Sequence, residues 1–173
     1  MGPPVRPEAD TLILFGASGD LARKKLLPAL YELTRQGRLE MPVIGVANTE
    51  WFNQDFADRA RDSVAEYVAD RARAGDESDG SGTEPEIDTE ALDRLCDRMV
   101  FISGEYGEPS TWRQLSAATE DAKVAVAFLA IPPSLFDDVV EGLDAIMLAP
   151  RARVVVEKPF GRDLASAKEL NHT

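Results

Sequence analysis

The chain has one cysteine, Cys96, and one histidine, His172, among 173 residues. A lone thiol closes no internal disulfide, and with a single imidazole beside it neither a thiolate metal cluster nor a Cys-x-x-Cys redox pair can be built. No apolar run approaches the roughly 18 residues that cross a bilayer. Positive charge is scarce as well: 19 Lys and Arg stand against 31 Asp and Glu, a formal net charge of −12. Phosphate backbones and anionic membranes select basic surfaces, so neither nucleic acid nor membrane is expected as a partner. Two catalytic signatures are missing too, the Gly-x-x-x-x-Gly-Lys-Ser/Thr phosphate loop and a Tyr-x-x-x-Lys pair. These absences leave an acidic protein whose expected home is a reducing cytoplasm. The 44% of apolar residues suffices for the core of one ordinary domain.

What is present is an alternation of strand-length apolar runs with helix-length segments. Residues 1–10, with three prolines, read as a flexible leader. Residues 11–15 form an apolar run without alternation, which predicts burial on both faces. The helix predicted over 21–36 carries Leu26, Leu30 and Leu33 on one stripe, a kink at Pro28 and a stop at Gly37. Further strands are predicted at 42–47, 100–102, 124–130 and 153–157, and helices at 53–74, 88–98, 110–122 and 135–147, with another opening at Leu164. The stretch 75–87 is acidic and small, so it is expected as a mobile, disordered surface insertion. Strands joined by repeated crossovers imply an α/β fold of Rossmann-like, doubly wound type, its mostly parallel sheet covered by helices on both faces. Residues 11–173 are thus expected to form one dinucleotide-binding domain, cut short at its C-terminal end. A sheet ending after its fifth strand leaves an edge and an apolar face open to a protein partner.

The chemistry concentrates at Gly16-Ala-Ser-Gly-Asp-Leu-Ala22, between the first strand and the first helix. Gly16 and Gly19 permit a sharp turn and close approach of a pyrophosphate, and the helix that follows aims free N–H groups at it. Ala22 keeps that helix near the sheet, and Asp20 is read as its N-cap. Arg23, Lys24 and Lys25 oppose the helix dipole unless an anion is near, so one of them, with Arg23 favoured, is expected to meet a phosphate. The second strand ends at Asn48, which is neutral, where an NAD-specific site usually has Asp or Glu. NADP is therefore the favoured coenzyme, with NAD still admitted. Ile131, Pro132 and Pro133 end a later strand and stiffen one wall. Pro159 and Gly161 bracket a turn that aims Lys158 into the crevice.

Three stretches in order, Gly16 to Ala29, Ala130 to Pro133 and Glu157-Lys-Pro-Phe-Gly-Arg-Asp-Leu164, resemble the amino-terminal coenzyme domain of glucose-6-phosphate dehydrogenase. The resemblance covers essentially residues 11–171. It implies that Gly16, Ala17, Ser18, Gly19, Asp20, Leu21, Ala22 and Arg23 line the coenzyme phosphates. It also implies that Ile131, Pro132 and Pro133 lie beside the nicotinamide, and that Lys158 contacts sugar phosphate or coenzyme. The implied reaction oxidises glucose 6-phosphate at C1 to the lactone, with hydride passing to NADP. The chain departs from the family at Asn48, where arginine is common, and near Phe136, where an aromatic hydroxyl is common. It also lacks the family's Arg-Ile-Asp-His-Tyr-Leu-Gly-Lys motif and later His-Asp pair. His172, near the end, is a poor general base, so no catalytic residue is assigned and this chain alone is expected to be silent. The alternatives are a non-catalytic NADP-binding module or sensor, and an orphan fragment that needs a partner.

Overall fold

The computed structural model describes residues 8–74 and 86–157. Five strands, β1 (Thr11–Phe15), β2 (Val43–Ala47), β3 (Met99–Ser103), β4 (Ala125–Leu129) and β5 (Ala152–Val156), form one sheet in the order β3-β2-β1-β4-β5. Every pair is parallel, with Phe15 opposite both Val46 and Leu129, and Ala47 opposite Ser103. Between them lie α1 (Leu27–Arg35), α2 (Asn53–Ala74), α3 (Thr89–Cys96), α4 (Pro109–Ala118) and α5 (Phe136–Ala145).

The period-two geometry of a strand sends successive side chains to opposite faces, and both faces are covered. Leu14, Val43 and Phe101 pack with Tyr31 of α1, Phe56 of α2 and Leu95 of α3. Ile13, Phe15, Ile44 and Val46 pack with Trp112 of α4 and Val139 of α5. This is the doubly wound α/β arrangement that the sequence implies. Gly45 sits between the two β2 pairs, where a Cβ would come within 2.7 Å of the Phe56 ring and 2.9 Å of the Ala17 Cβ. The missing side chain thus seats α2 directly beneath the turn that follows β1.

The helix predicted over 21–36 is present in two parts. A π-helical turn spans Ala22–Leu26, in which Leu27 N–H reaches back to the Ala22 carbonyl, and α1 follows with Pro28 in its first turn. Proline lacks the N–H for an α-type bond and its ring collides with the carbonyl four residues back, so the wider turn is how the expected break at Pro28 is realised. Asp20 is not the N-cap that the sequence suggests. The first bond of the helical ladder runs from Arg23 N–H to the Gly19 carbonyl, so Gly19 holds the cap position and Asp20 is already helical. Its carboxylate lies 4.0 Å from Lys24 one turn on.

Two expected flexible segments are anchored at their ends. Asp10, the last residue of the supposed leader, accepts bonds from the N–H groups of Lys123 (2.9 Å) and Val124 (3.1 Å), which hold its carboxyl below the usual carboxylate range. Ile87, placed in the acidic insertion, packs against the core cluster of α1, α2 and α3. Asp88 then caps α3 by accepting from Ala91 N–H at 2.9 Å, and its own N–H donates to the Tyr31 hydroxyl at 2.8 Å. Residues 1–7, 75–85 and 158–173 lie outside the described residues, and with them Lys158, His172 and the helix predicted from Leu164. The fifth strand is open: Val154 and Val155 are 48% and 39% exposed.

Candidate functional site

All five strands point their C-terminal ends the same way, and the connections leave β1 toward β2 on one side and reach β4 on the other. Such a reversal opens a crevice beyond the strand ends, the usual place for a ligand in this architecture. Gly16 lies at its centre with φ of 79°. A Cβ there would run into the Ala130 carbonyl and approach the Ile131 Cγ2 to 2.9 Å, so the exits of β1 and β4 touch only because this residue is glycine.

The turn is tied to β2 and β3 as well. Gly16 N–H donates to the Val46 carbonyl at 2.9 Å and to the Tyr106 hydroxyl at 2.9 Å, and that hydroxyl donates in turn to the Val46 carbonyl at 3.3 Å. Burial is the main reason the Tyr106 phenol is pushed up to about 12. The nearby Glu105 charge adds to the effect, while the Gly16 N–H opposes it. The Tyr106 ring meets Phe15 edge-on at 5.7 Å, and its carbonyl accepts from Trp112 Nε1 at 2.6 Å. Ser18 accepts from the Thr49 hydroxyl at 2.8 Å, which joins the middle of the turn to the chain leaving β2.

These bonds satisfy Gly16 and Gly19 within the protein, Gly19 N–H donating to the Gly16 carbonyl at 3.0 Å. They leave the first helical turn aimed outward. Asp20, Leu21 and Ala22 precede the first ladder bond, made by Arg23, so their N–H groups have no helical carbonyl to meet. Buried Ala17 and Ala22 place that end against the sheet, and the arrangement has the donors and the positive dipole end that a pyrophosphate requires. A dinucleotide therefore fits the residues present.

Asn48 is exposed at the end of β2, and its side-chain N–H donates to the Glu105 carboxylate at 3.4 Å. Ile131 is partly buried against the α4–α5 side, while Pro132 and Pro133 are exposed and lead into α5. Phe136, at the start of α5, is buried. Arg23 turns away from the crevice toward α2, where its guanidinium is bonded to Glu66 and held further above its usual range by that carboxylate. The structure thus brings Gly16 to Ala22, Asn48 and Ile131 to Pro133 together at the strand ends. It places the Arg23 head group elsewhere, and Lys158 falls outside the described residues.

Tyr106, Glu105 and Thr49 are the residues that sequence reasoning missed. Their signal was positional, since each stands within three residues of the end of a parallel strand, where ligand contacts gather. Among the described residues there is no histidine and no cluster of three or more His, Cys, Asp or Glu able to hold a metal ion. Cys96 is buried between α2 and α3, away from the turn, and burial raises its thiol above the ordinary range. The arrangement can bind and orient a dinucleotide, and the described residues offer no histidine base for a proton transfer.

Residues 13–173 match the family model described as glucose-6-phosphate dehydrogenase, NAD binding domain. Among curated proteins, glucose-6-phosphate 1-dehydrogenase 1 of Mycobacterium tuberculosis (strain ATCC 25618 / H37Rv) is 37% identical over 163 residues, covering 94% of this chain and 31% of the relative. The crystal structure of glucose-6-phosphate 1-dehydrogenase from Mycobacterium avium superposes with a TM-score of 0.80 at 38% identity, over 95% of this chain and 33% of that one. A glucose-6-phosphate dehydrogenase solved in complex with its substrate glucose-6-phosphate gives a TM-score of 0.72 at 28% identity, over 94% and 33% of the two chains. The chain spans about a third of the length of these relatives.

Proposed function

The chain belongs to the glucose-6-phosphate dehydrogenase family through that family's NAD-binding domain, and from this premise we propose that it is the coenzyme-binding part of an enzyme that oxidises glucose 6-phosphate. In the proposed reaction the C1 hydroxyl of glucose 6-phosphate becomes the lactone carbonyl and a hydride passes to NADP, the coenzyme that supplies the electron-accepting nicotinamide. The observation that carries the reading is the turn at Gly16, packed on the Ala130 carbonyl at the point where strand order reverses.

The chain's own part in that chemistry is to bind and orient. The N–H groups of Asp20, Leu21 and Ala22 hold the pyrophosphate, with Ala17, Ser18 and Gly19 shaping the turn beneath it. Ile131, Pro132 and Pro133 form the wall on the nicotinamide side, and Asn48 faces the adenosine ribose. Arg23 contributes only when its guanidinium exchanges Glu66 for a coenzyme phosphate. Lys158 remains proposed as a contact to sugar phosphate or coenzyme, on the sequence resemblance. A general base has to remove the proton of the C1 hydroxyl as hydride leaves C1. With no histidine among the described residues, the isolated chain is proposed to bind coenzyme without turning substrate over. The same reading places it in the cytoplasm. It also has the exposed β5 face covered by a protein partner or by further chain such as the longer relatives have. Among the described residues no helix is long and apolar enough to cross a membrane.

The test is thermal unfolding of the purified chain across concentrations of NADP and of NAD, since a ligand that binds only the folded state raises its stability. The expected result is a saturable shift with NADP at least as large as that with NAD, and no NADPH formed when glucose 6-phosphate is added. A cooperatively folded chain that shifts with neither coenzyme would refute the binding role, and NADPH formation by pure protein would refute its silence. Arg23→Ala should weaken NADP more than NAD; equal losses would remove Arg23 from the site.

A further inference from the structure

Sites of this architecture choose between NAD and NADP at the end of the second strand, where a carboxylate accepts hydrogen bonds from the ribose hydroxyls and repels a 2′-phosphate. Here that position holds Asn48, but a carboxylate reaches it from the neighbouring strand. We infer that Glu105 is the specificity-determining acid of this site, reading the 2′ position of the adenosine ribose so that NAD competes with NADP; the inference rests on the coenzyme reading above.

The register makes the meeting of these two residues a consequence of the fold. Ala47 and Ser103 are the last paired residues of β2 and β3, and Gly104 N–H donates to the Ala47 carbonyl at 2.9 Å, so the chains leave both strands side by side. One residue beyond Ala47 and two beyond Ser103, the Asn48 side-chain N–H donates to the Glu105 carboxylate at 3.4 Å. The Glu105 main chain is fixed independently, because its carbonyl accepts from the Thr111 hydroxyl at 2.7 Å and from Glu108 N–H at 3.2 Å. Its charge is felt at the Tyr106 hydroxyl, which is itself bonded to Gly16 N–H, so the carboxylate stands within electrostatic reach of the glycine turn.

The chemistry follows from that placement. An ionised carboxylate only accepts hydrogen bonds, which suits the 2′ and 3′ hydroxyls of NAD and opposes the dianionic 2′-phosphate of NADP. The cation of the turn that would offset this repulsion, Arg23, is engaged by Glu66 on α2. Because Glu105 is exposed, water screens the repulsion, and an effect of about five- to tenfold is expected rather than exclusion of NADP.

Calorimetric titration of the whole chain tests this, with NADP, NAD, adenosine 2′,5′-bisphosphate and adenosine 5′-monophosphate as titrants. Glu105→Gln should tighten NADP and the bisphosphate about fivefold or more and weaken NAD about twofold, with the melting temperature unchanged in the absence of ligand. Glu105→Ala should move the NADP-to-NAD ratio the same way, with a larger loss for NAD. A ratio that stays the same in both variants, while wild type binds the coenzymes, overturns the role of Glu105 and leaves the coenzyme domain standing. A folded wild-type chain that binds none of the four titrants overturns the coenzyme reading and this inference with it.

Discussion

β2 and β5 are both five-residue apolar strands, Val-Ile-Gly-Val-Ala and Ala-Arg-Val-Val-Val, yet all five residues of β2 are buried and none of β5 is. The difference lies in their neighbours. β2 has a strand on each side and side chains from α1, α2 and α3 above one face, α4 and α5 below the other. β5 pairs with β4 alone and stands at the end of the sheet. Apolar composition therefore fixes what a strand can tolerate, whereas its rank in the sheet fixes what it receives. The site residues cluster on the well-packed side, where Gly16, Ser18, Thr49, Asn48, Glu105 and Tyr106 share hydrogen bonds. Preorganised donors need rigid surroundings, and the β5 edge has fewer neighbours to provide them.

The contrast can be broken at four places. Gly16→Ala should cost most, about 4 kcal/mol, because a positive φ and a collision with the Ala130 carbonyl are imposed together. Denaturant unfolding would read the loss, and a value under about 1 kcal/mol would mean that the turn yields easily. Ile44→Ala, at a β2 position only 1% exposed, should cost about 3 kcal/mol by cavity formation.

Tyr106→Phe removes a hydroxyl from Gly16 and Val46 and should cost about 1 kcal/mol. It also changes the response to alkali. The folded chain holds the Tyr106 proton to about 12, above its ordinary 10.0, so this contribution to stability is complete below about pH 10 and is lost as pH rises through 12. Unfolding midpoints measured between pH 9 and 12 should fall less steeply for the phenylalanine variant, and parallel curves would contradict the assignment. The smallest effect is expected at the open edge, where Val155→Ala should change stability by less than about 0.5 kcal/mol. A loss as large as that at Ile44 would show that β5 is covered in solution, for example by a second copy of the chain.

The sheet was legible because its information is local. β1, β2 and β4 are continuous apolar runs of strand length, and the helices between them carry one-sided stripes. Gly16 and Asn48 were legible for a similar reason, since each sits at a fixed offset from a strand end. Tyr106 was not, because its bond to Gly16 joins residues ninety apart and exists only through the pairing of β2 with β3. Glu105 was hidden among 31 carboxylates that look alike in sequence. Asp20 misled through its type: aspartate is a common N-cap, but Gly19 occupies the cap, and which residue starts a helix is decided by where the first carbonyl finds its donor. Pro28 announced a disturbance without its form, since a π-helical turn and a kink are alternative ways around the same collision.

The strand order has a further consequence for how the molecule comes into being. Of the five described strands β1 comes first in the chain and becomes the central one, with β2 on one edge and β4 on the other. Its first partner emerges about thirty residues later in the chain, but its second lies at residues 125–129. Until then a growing chain carries a strand with one edge open, and the Ala130 carbonyl that closes on Gly16 has not yet been made. The coenzyme crevice is therefore among the last parts of the described fold to be completed, although the turn at its centre precedes most of that fold in the chain.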